Sequence, residues 1–529
     1  MPSDHVPLVE SPMVDRSPGI EGILRNPKVI PIAVGLLLLI ATAVRLYDIA
    51  GPSIWWDEGF SHRWATMPVK DVLRETQNED FNPPLYYLTL NGWVTLFGDS
   101  PTSMRMPSAI ASVIAVWLTY LVGCQLTSRG AALCATAAMS IAEFQIVYAH
   151  QARCYGLLLM FTLASVYFFL RLLSEWKSLV AIGYVLTTAA MLYLHVYGAF
   201  FLAMQCAVVL AIWLTRTPTQ LTIKRAIIVQ SVLMVLLVPW VLFAMSRAQA
   251  AEGSFWIEKP TPRYIGRMIE RLAGSLPALV MIIGLAVVAA YGMVKMWRHS
   301  DSTFVPPAAD RVHPFAPAGA IAFLFTWFLI PHALPIIASI IGTPIYYDRY
   351  AIGTTPAMFL LAAVGLSLIP NQNFRILGPH RTLRLSVGLV FALILVRDLR
   401  AEIKNPLNTR ADELVQYVEK EAKPGDLIVF DGHSGGGQNT FDYYAHRTDL
   451  RKKMIHWSFS EVTQAYTDTL KEYAAGTNNV WVITLDRPQK VAAIKDAMTG
   501  EYPYYSRFPK EASLKHMCAS RLSKTPFSE

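Results

Sequence analysis

Long apolar runs separated by short polar connections fill the chain from residue 29 to about residue 397. A helix that crosses a bilayer needs about 20 mostly apolar residues. On that measure the runs 29–47, 106–125, 130–148, 155–173, 178–195, 197–214, 226–245, 274–296, 315–340, 350–369 and 383–397 predict about eleven transmembrane helices. Met1 to Lys28 is polar and contains prolines; it is too long and too polar to lead a cleaved signal peptide, so the first run reads as an uncleaved helix. The helix interiors are nearly uncharged, with Glu143, near the end of the third run, as the main exception.

Two stretches depart from this pattern. The loop at about 48–105 is long for a connection, and loops of that length usually have structure and function. Within it Val69 to Gln77 predicts a short helix after Pro68, with Val69, Val72 and Leu73 on one side and Lys70, Arg74 and Glu75 on the other. From about residue 400 the pattern becomes that of a soluble α/β domain. Arg410 to Lys423 predicts an amphipathic helix, Pro424-Gly425-Asp426 a turn and Leu427-Ile428-Val429-Phe430 a buried strand. Helix 460–474, strand Val480–Leu485 and helix Pro488–Met498 follow, which suggests a parallel sheet. The expected organisation is a tail at 1–28, a transmembrane domain at 29–399 and a small α/β domain at 400–529.

Composition and charge turn this pattern into a topology. Hydrophobic residues make up 53% of the 529, and the formal net charge is +8. The basic residues fall on alternate connections: Arg129; Arg171 and Lys177; Arg216, Lys224 and Arg225; Lys295, Arg298 and Arg311; Arg375, Arg381 and Arg384. By the positive-inside rule these loops and the N-terminus are cytoplasmic, and the excess charge is not a nucleic-acid footprint. The remaining loops and the C-terminal domain are then extracytoplasmic. The five cysteines have no metal-ligand spacing and read as small buried hydrophobes.

The loops assigned to the outside carry the unusual chemistry. The first holds Ile54-Trp55-Trp56-Asp57-Glu58-Gly59-Phe60-Ser61, two adjacent carboxylates beside aromatic anchors. Such a pair either solvates a loop or does chemistry on something held in the membrane. The same loop contains Asn82-Pro83-Pro84-Leu85-Tyr86-Tyr87, and Arg105 stands before Pro107-Ser108 where the next helix starts. Later outer connections carry Tyr148-Ala149-His150-Gln151-Ala152-Arg153-Cys154-Tyr155, then His195, then Tyr346-Tyr347-Asp348-Arg349-Tyr350.

In their order and shared placement on one membrane face, these motifs resemble the polytopic GT-C glycosyltransferases over about residues 29–370. The closest group is the protein-mannosyltransferase-like and aminoarabinose-transferase-like branch, families 39 and 83, with their bacterial mannosyltransferase-like members. The resemblance implies a sugar taken from a polyprenyl-phosphate carrier and passed to an acceptor outside the cytoplasm, with the first-loop aspartate, here Asp57, as base. Many relatives have His-Pro-Pro where this chain has Asn82-Pro83-Pro84, and an asparagine does not titrate, so that histidine's role is not carried over.

The residues support the same chemistry. Transfer to a hydroxyl or amine needs a base, for which Asp57 is the first choice with Glu58 beside it; the pair could also hold a divalent cation. An oxocarbenium-like transition state and a single base predict inversion. The lipid-phosphate leaving group needs cations, for which Arg153, Arg349 and Arg105 are candidates. Trp56, Gln151, Tyr155, His195 and Tyr347 are candidate substrate contacts; Trp55 and Trp256 stand with them as stacking or interface-belt residues. Gly432-His433-Ser434-Gly435-Gly436 matches a nucleophile elbow, with Asp486 and His516 in the right order, but the domain is small for a hydrolase and the segment reads as a Gly-rich loop. The expected setting is a bacterial inner membrane and cell envelope, with protein, lipid or glycan as acceptor. The competing class is a transporter or flippase of a lipid-linked molecule, which would favour intramembrane charges and paired broken helices; a membrane-anchored binding module is a third.

Overall fold

The computed structural model of the protein describes residues 28–79, 82–250, 257–299, 315–369, 383–404, 410–431, 436–455, 464–485, 488–508 and 517–526. The Ser434 motif, Asp486, His516 and Trp256 lie outside these residues. Helix α1 (Val29–Leu46) leads into three shorter helices, α2 (Trp56–Ala65), α3 (Val69–Glu79) and α4 (Leu85–Phe97), so the long first loop is helical throughout most of its length. Helix α5 (Pro101–Leu126) starts earlier than its apolar run because Ser100 caps it, accepting from the Ser103 N–H at 3.2 Å, with proline at the first position. Arg105 therefore sits inside the first turns of the helix and not ahead of it.

Next come α6 (Arg129–Ile141), α7 (Glu143–Ala149), α8 (Tyr155–Ser174), α9 (Ser178–Leu194), α10 (Gly198–Leu214), α11 (Ile223–Ala250), α12 (Pro262–Ala273), α13 (Leu276–His299) and α14 (Pro317–Ile341). A 3-10 turn (Asp348–Thr354) opens onto α15 (Thr355–Leu368), and α16 (Leu383–Lys404) closes the bundle. Among the described residues seven helices are long and apolar enough to cross a membrane, and α6 with α7 makes an eighth if the bent pair is one span. Helices α9 and α10, at 17 residues each, fall just short of that test. The run expected as one helix over 130–148 is two, bent by 52° at a single break residue, Ala142. No proline or glycine causes the bend. The broken carbonyls are satisfied from elsewhere: Arg45 of α1, fully buried, donates to Met139 O and Ser140 O at 3.0 and 2.9 Å and to Ser112 Oγ at 2.7 Å.

Helices pack closely where side chains are small, as expected where lipid gives no hydrophobic drive for association. A methyl at Gly156 of α8 would lie 2.6 Å from Ser108 O of α5, so these two helices touch backbone to backbone just above the 150–154 connection.

The C-terminal region runs α17 (Ala411–Glu421), β1 (Leu427–Asp431), α18 (Gly436–Tyr444), β2 (Arg451–Ile455), α19 (Gln464–Ala474), β3 (Asn479–Leu485), α20 (Pro488–Met498), β4 (Tyr504–Phe508) and β5 (Met517–Ser523). Strand order is β2-β1-β3-β5-β4. The expected parallel sheet is half right: β1 pairs parallel with β2 and β3, but β5 pairs antiparallel with both β3 and β4. Central β3 is buried from Val480 to Ile483, which explains its continuous apolar run. The predicted turn is present, with Gly425 at φ +87° and Asp426 accepting from Asn479 Nδ2 and Trp481 Nε1.

Candidate active site

Helix α2 carries Asp57 and Glu58, and neighbouring residues on a helix point about 100° apart. The two carboxylates therefore meet different partners. Glu58 is fully buried. Its Oε1 accepts from Arg105 Nε and the Ala152 N–H, both at 2.8 Å, and its Oε2 accepts from Arg105 Nη2 at 2.7 Å and the Trp55 N–H at 3.3 Å. Those four bonds fill the acceptor sites of a carboxylate. Arg105 is equally committed: its other N–H groups go to Ile49 O and Pro52 O at 2.8 Å and Ser53 O at 3.3 Å. Two expectations are corrected here. Arg105 has no N–H left for a donor phosphate, and Glu58 has no lone pair left for a reactant or for a cation shared with Asp57. Among the described residues no cluster of three or more His, Cys, Asp or Glu side chains is arranged to hold a metal ion.

Asp57 faces the other way, with a side chain 24% exposed. Arg349 Nη1 lies 3.2 Å from its Oδ2 and Arg153 Nε lies 3.9 Å from the same oxygen. Two guanidinium groups thus share one carboxylate. Arg153 is held by Ser108 Oγ, which donates to its carbonyl at 2.8 Å, and its Nη1 reaches Tyr87 OH at 3.3 Å and Ser61 Oγ at 3.5 Å. Arg349 stands among rings: Tyr347, Tyr155, Trp55 and Tyr350 lie with centroids 5.1, 5.5, 5.9 and 5.9 Å from its guanidinium carbon. Its backbone N–H donates to Oδ1 of its neighbour Asp348 at 2.6 Å. Asp348 is buried and pairs with Arg271 of α12 at 3.2 Å.

His195 occupies the corner between α9 and α10, buried, with its ring 4.5 Å from that of Tyr350. The Tyr197 N–H donates to its Nδ1 at 3.1 Å, which fixes the neutral ring with its proton on Nε2. Burial, with Arg153 and Arg349 nearby, pushes its pKa down to about 3. That Nε2 has no hydrogen-bond partner, and the same is true of Gln151 Oε1, Trp55 Nε1 and Arg153 Nε. Buried polar atoms are normally bonded, and three of these, on His195, Trp55 and Arg153, belong to residues around Arg349, Tyr350 and Asp57.

Of the residues singled out from sequence, Asp57, Arg153, Arg349, Tyr155, His195 and Tyr347 come together, and Gln151 lies buried in the connection that carries Arg153. Trp56 does not join them. Its ring is buried in the core of the C-terminal domain with Phe430, Phe441 and Trp481, so the expectation of a sugar contact is corrected. Sequence reasoning passed over Tyr87, Ser61 and Arg271. It also passed over Arg45, although a charge inside an apolar span was the available signal.

The family model for dolichyl-phosphate-mannose-protein mannosyltransferase matches residues 82–243. Among solved structures, apo ArnT from Cupriavidus metallidurans aligns over 92% of this chain and 97% of its own, at 12% identity and a TM-score of 0.59. The same protein bound to undecaprenyl phosphate aligns over 93% and 98%, at 13% identity and 0.55. The archaeal oligosaccharyltransferase AglB from Archaeoglobus fulgidus, in complex with an inhibitory peptide and a dolichol-phosphate, aligns over 92% of this chain and 74% of its own, at 12% and 0.55. No curated protein matches the chain. The fold is the GT-C fold of polytopic membrane glycosyltransferases of the protein-mannosyltransferase and ArnT type.

Proposed function

We propose that the chain is an integral-membrane glycosyltransferase that moves a sugar from a polyprenyl-phosphate donor to an extracytoplasmic acceptor, with Asp57 as base. The observation that carries this reading is the sharing of one carboxylate by Arg153 and Arg349 inside an aromatic wall. A donor phosphate matches guanidinium geometry better than a single carboxylate oxygen does. When it takes over the two arginines it leaves Asp57 for the acceptor. The acceptor hydroxyl or amine then attacks the anomeric carbon as its proton passes to Asp57, and the bond from that carbon to the phosphate oxygen breaks. The electron pair leaves on the lipid phosphate, whose charge the arginines stabilise. A direct displacement of this kind inverts the anomeric centre. Donor binding thus precedes base release, which predicts that acceptor binds productively only after donor.

The bound lipids of the structural relatives, undecaprenyl phosphate in ArnT and dolichol-phosphate in AglB, support a polyprenyl-type carrier. The basic connections support placement of the site on the extracytoplasmic face of a plasma membrane, bacterial in the reading above. Transport would call for paired broken helices, and the described residues hold one bent pair. The test is transfer in detergent micelles from a panel of labelled short polyprenyl-phosphate sugars to a membrane and envelope extract, with and without EDTA. Label should leave the lipid with wild type and not with Asp57→Asn. Release that persists unchanged in Asp57→Asn would remove Asp57 as base, and no release from any donor would favour transport.

A further inference from the structure

The C-terminal domain is seated on the helix that carries Asp57. A methyl at Gly59 of α2 would lie 2.6 Å from the Thr440 backbone nitrogen and 2.9 Å from its Cα, so α2 and α18 meet backbone to backbone. A methyl at Gly437 of α18 would lie 2.6 and 2.7 Å from the ring carbons Cζ3 and Cη2 of Trp56. Hydrogen bonds pin the segment that leads into α2. The Ile54 N–H donates to the Tyr444 hydroxyl at 2.8 Å, and the Ala411 N–H donates to Ser53 Oγ at 2.9 Å. Tyr443 donates to Asp99 O at 3.3 Å and sets its ring edge-on to His62, 4.7 Å away.

Asp57 lies between Trp56 and Gly59, which both pack closely against α18. On another face of the same helix, Glu58 is tied to Arg105 and to the Ala152 N–H of the membrane bundle. Helix α2 has only 10 residues, too few to hold its own shape or place. Its position is set by what grips it, and the domain supplies one of the two grips.

We propose that the C-terminal domain is a working part of the catalytic centre: α18 fixes the Asp57 helix against the membrane bundle, and Gly437, Thr440 and Tyr444 are positioning residues that act through Asp57. This rests on the reading of Asp57 as base. Arg153 and Arg349 stand on other elements, so a shift of α2 moves the base relative to the phosphate site, whose links to α2 beyond the Asp57 carboxylate include long contacts of 3.5 Å from Arg153 Nη1 to Ser61 Oγ and the Asp57 carbonyl. A displacement of about 1 Å at a reacting group is enough to cost about a hundredfold in rate.

The experiment uses the full chain. Gly437→Ala places a methyl against the rigid Trp56 ring, and α2 must move. Its kcat should fall roughly ten- to a hundredfold while KM for the lipid donor stays near wild type. Amide hydrogen exchange over residues 56–65 should quicken. Shrinking the ring should relieve the clash, so Gly437→Ala with Trp56→Leu should recover the rate of Trp56→Leu alone. Gly500→Ala, in the same domain with open space around it, should change none of these readouts. Should Gly437→Ala fail to fold, Tyr444→Phe removes a single hydroxyl and should lower kcat about two- to tenfold without altering donor KM. A folded Gly437→Ala protein with wild-type kcat overturns the proposal, as does a loss that Trp56→Leu does not relieve. Full activity in Asp57→Asn is a separate outcome, which overturns the reading of Asp57 and with it the route through Asp57.

Discussion

Two clusters of charge lie side by side on α2, one around Glu58 and one around Asp57, and they are opposites. Around Glu58 every acceptor site and every Arg105 N–H is occupied, and the pair is sealed from solvent. Around Asp57 two arginines share one carboxylate, the site is part open, and several buried polar atoms have no hydrogen-bond partner. A closed network holds a structure in one arrangement, because removing any member strands the others. An incomplete one is stable only at some expense, and that expense is met when a ligand completes it. Adjacent residues of the same chemical type thus stand in a closed network and in an open one.

The difference can be broken by substitution, and the sharpest break is at Asp57. Asp57→Asn should lower transfer roughly a hundred- to ten-thousandfold while the thermal unfolding midpoint in detergent stays within a few degrees of wild type. At Glu58 the result should reverse. Glu58→Gln or Arg105→Ala leaves one buried charge alone and should destabilise the fold by about 3–5 kcal/mol, seen as a large fall in midpoint and in yield of folded protein. Between these lies Arg349→Lys, which keeps the charge but loses the fork and the ring contacts. Its kcat/KM for the lipid donor should fall roughly ten- to a hundredfold with little change in stability. The smallest effect distinguishes the two nitrogens of His195. Gln can place a donor where Nε2–H stands and Asn an acceptor where Nδ1 stands. Asn should therefore lose about two- to tenfold in rate, and Gln should stay near wild type.

His195 also predicts a pH dependence. Its folded pKa of about 3 lies below the ordinary value of 6.5, so the unfolded chain takes up the proton first. The stability this difference contributes is complete above about pH 6.5 and is lost progressively as pH falls toward 3, with a limiting slope of about 1.4 kcal/mol per pH unit. Thermal midpoints measured from pH 7 to pH 5 should fall more steeply for wild type than for His195→Gln. A slope that is unchanged in His195→Gln would mean that the ring is not buried neutral.

Much of this was legible in the sequence. Of the eleven expected spans, seven, or eight with the bent pair, are long and apolar enough among the described residues, because length and hydropathy alone decide that question. The order of the loop motifs drew attention to Asp57, Arg153 and Arg349, and the structure brings those three together. What the sequence did not reveal was which way each side chain points. Asp57, Glu58 and Trp56 sit consecutively, and only helix geometry sends them to the open cluster, the sealed pair and the C-terminal core. The break at Ala142 was hidden because the group that satisfies its carbonyls, Arg45, lies about a hundred residues earlier. Strands β4 and β5 escaped because Tyr504–Phe508 and Met517–Ser523 mix polar and apolar residues without a clear apolar run.

The burial of Arg45 has a consequence for the way the chain is made. Its acceptors, Met139 O and Ser140 O, follow it by 94 and 95 residues. At ordinary rates of synthesis they leave the ribosome on the order of 5 to 20 seconds later. For that interval the first hydrophobic segment must carry a cation without its partners, and its position one residue from the end of α1 lets the guanidinium reach toward the membrane surface meanwhile. The first helix is thus inserted in a provisional state, and the arrival of the broken helix is what makes it final.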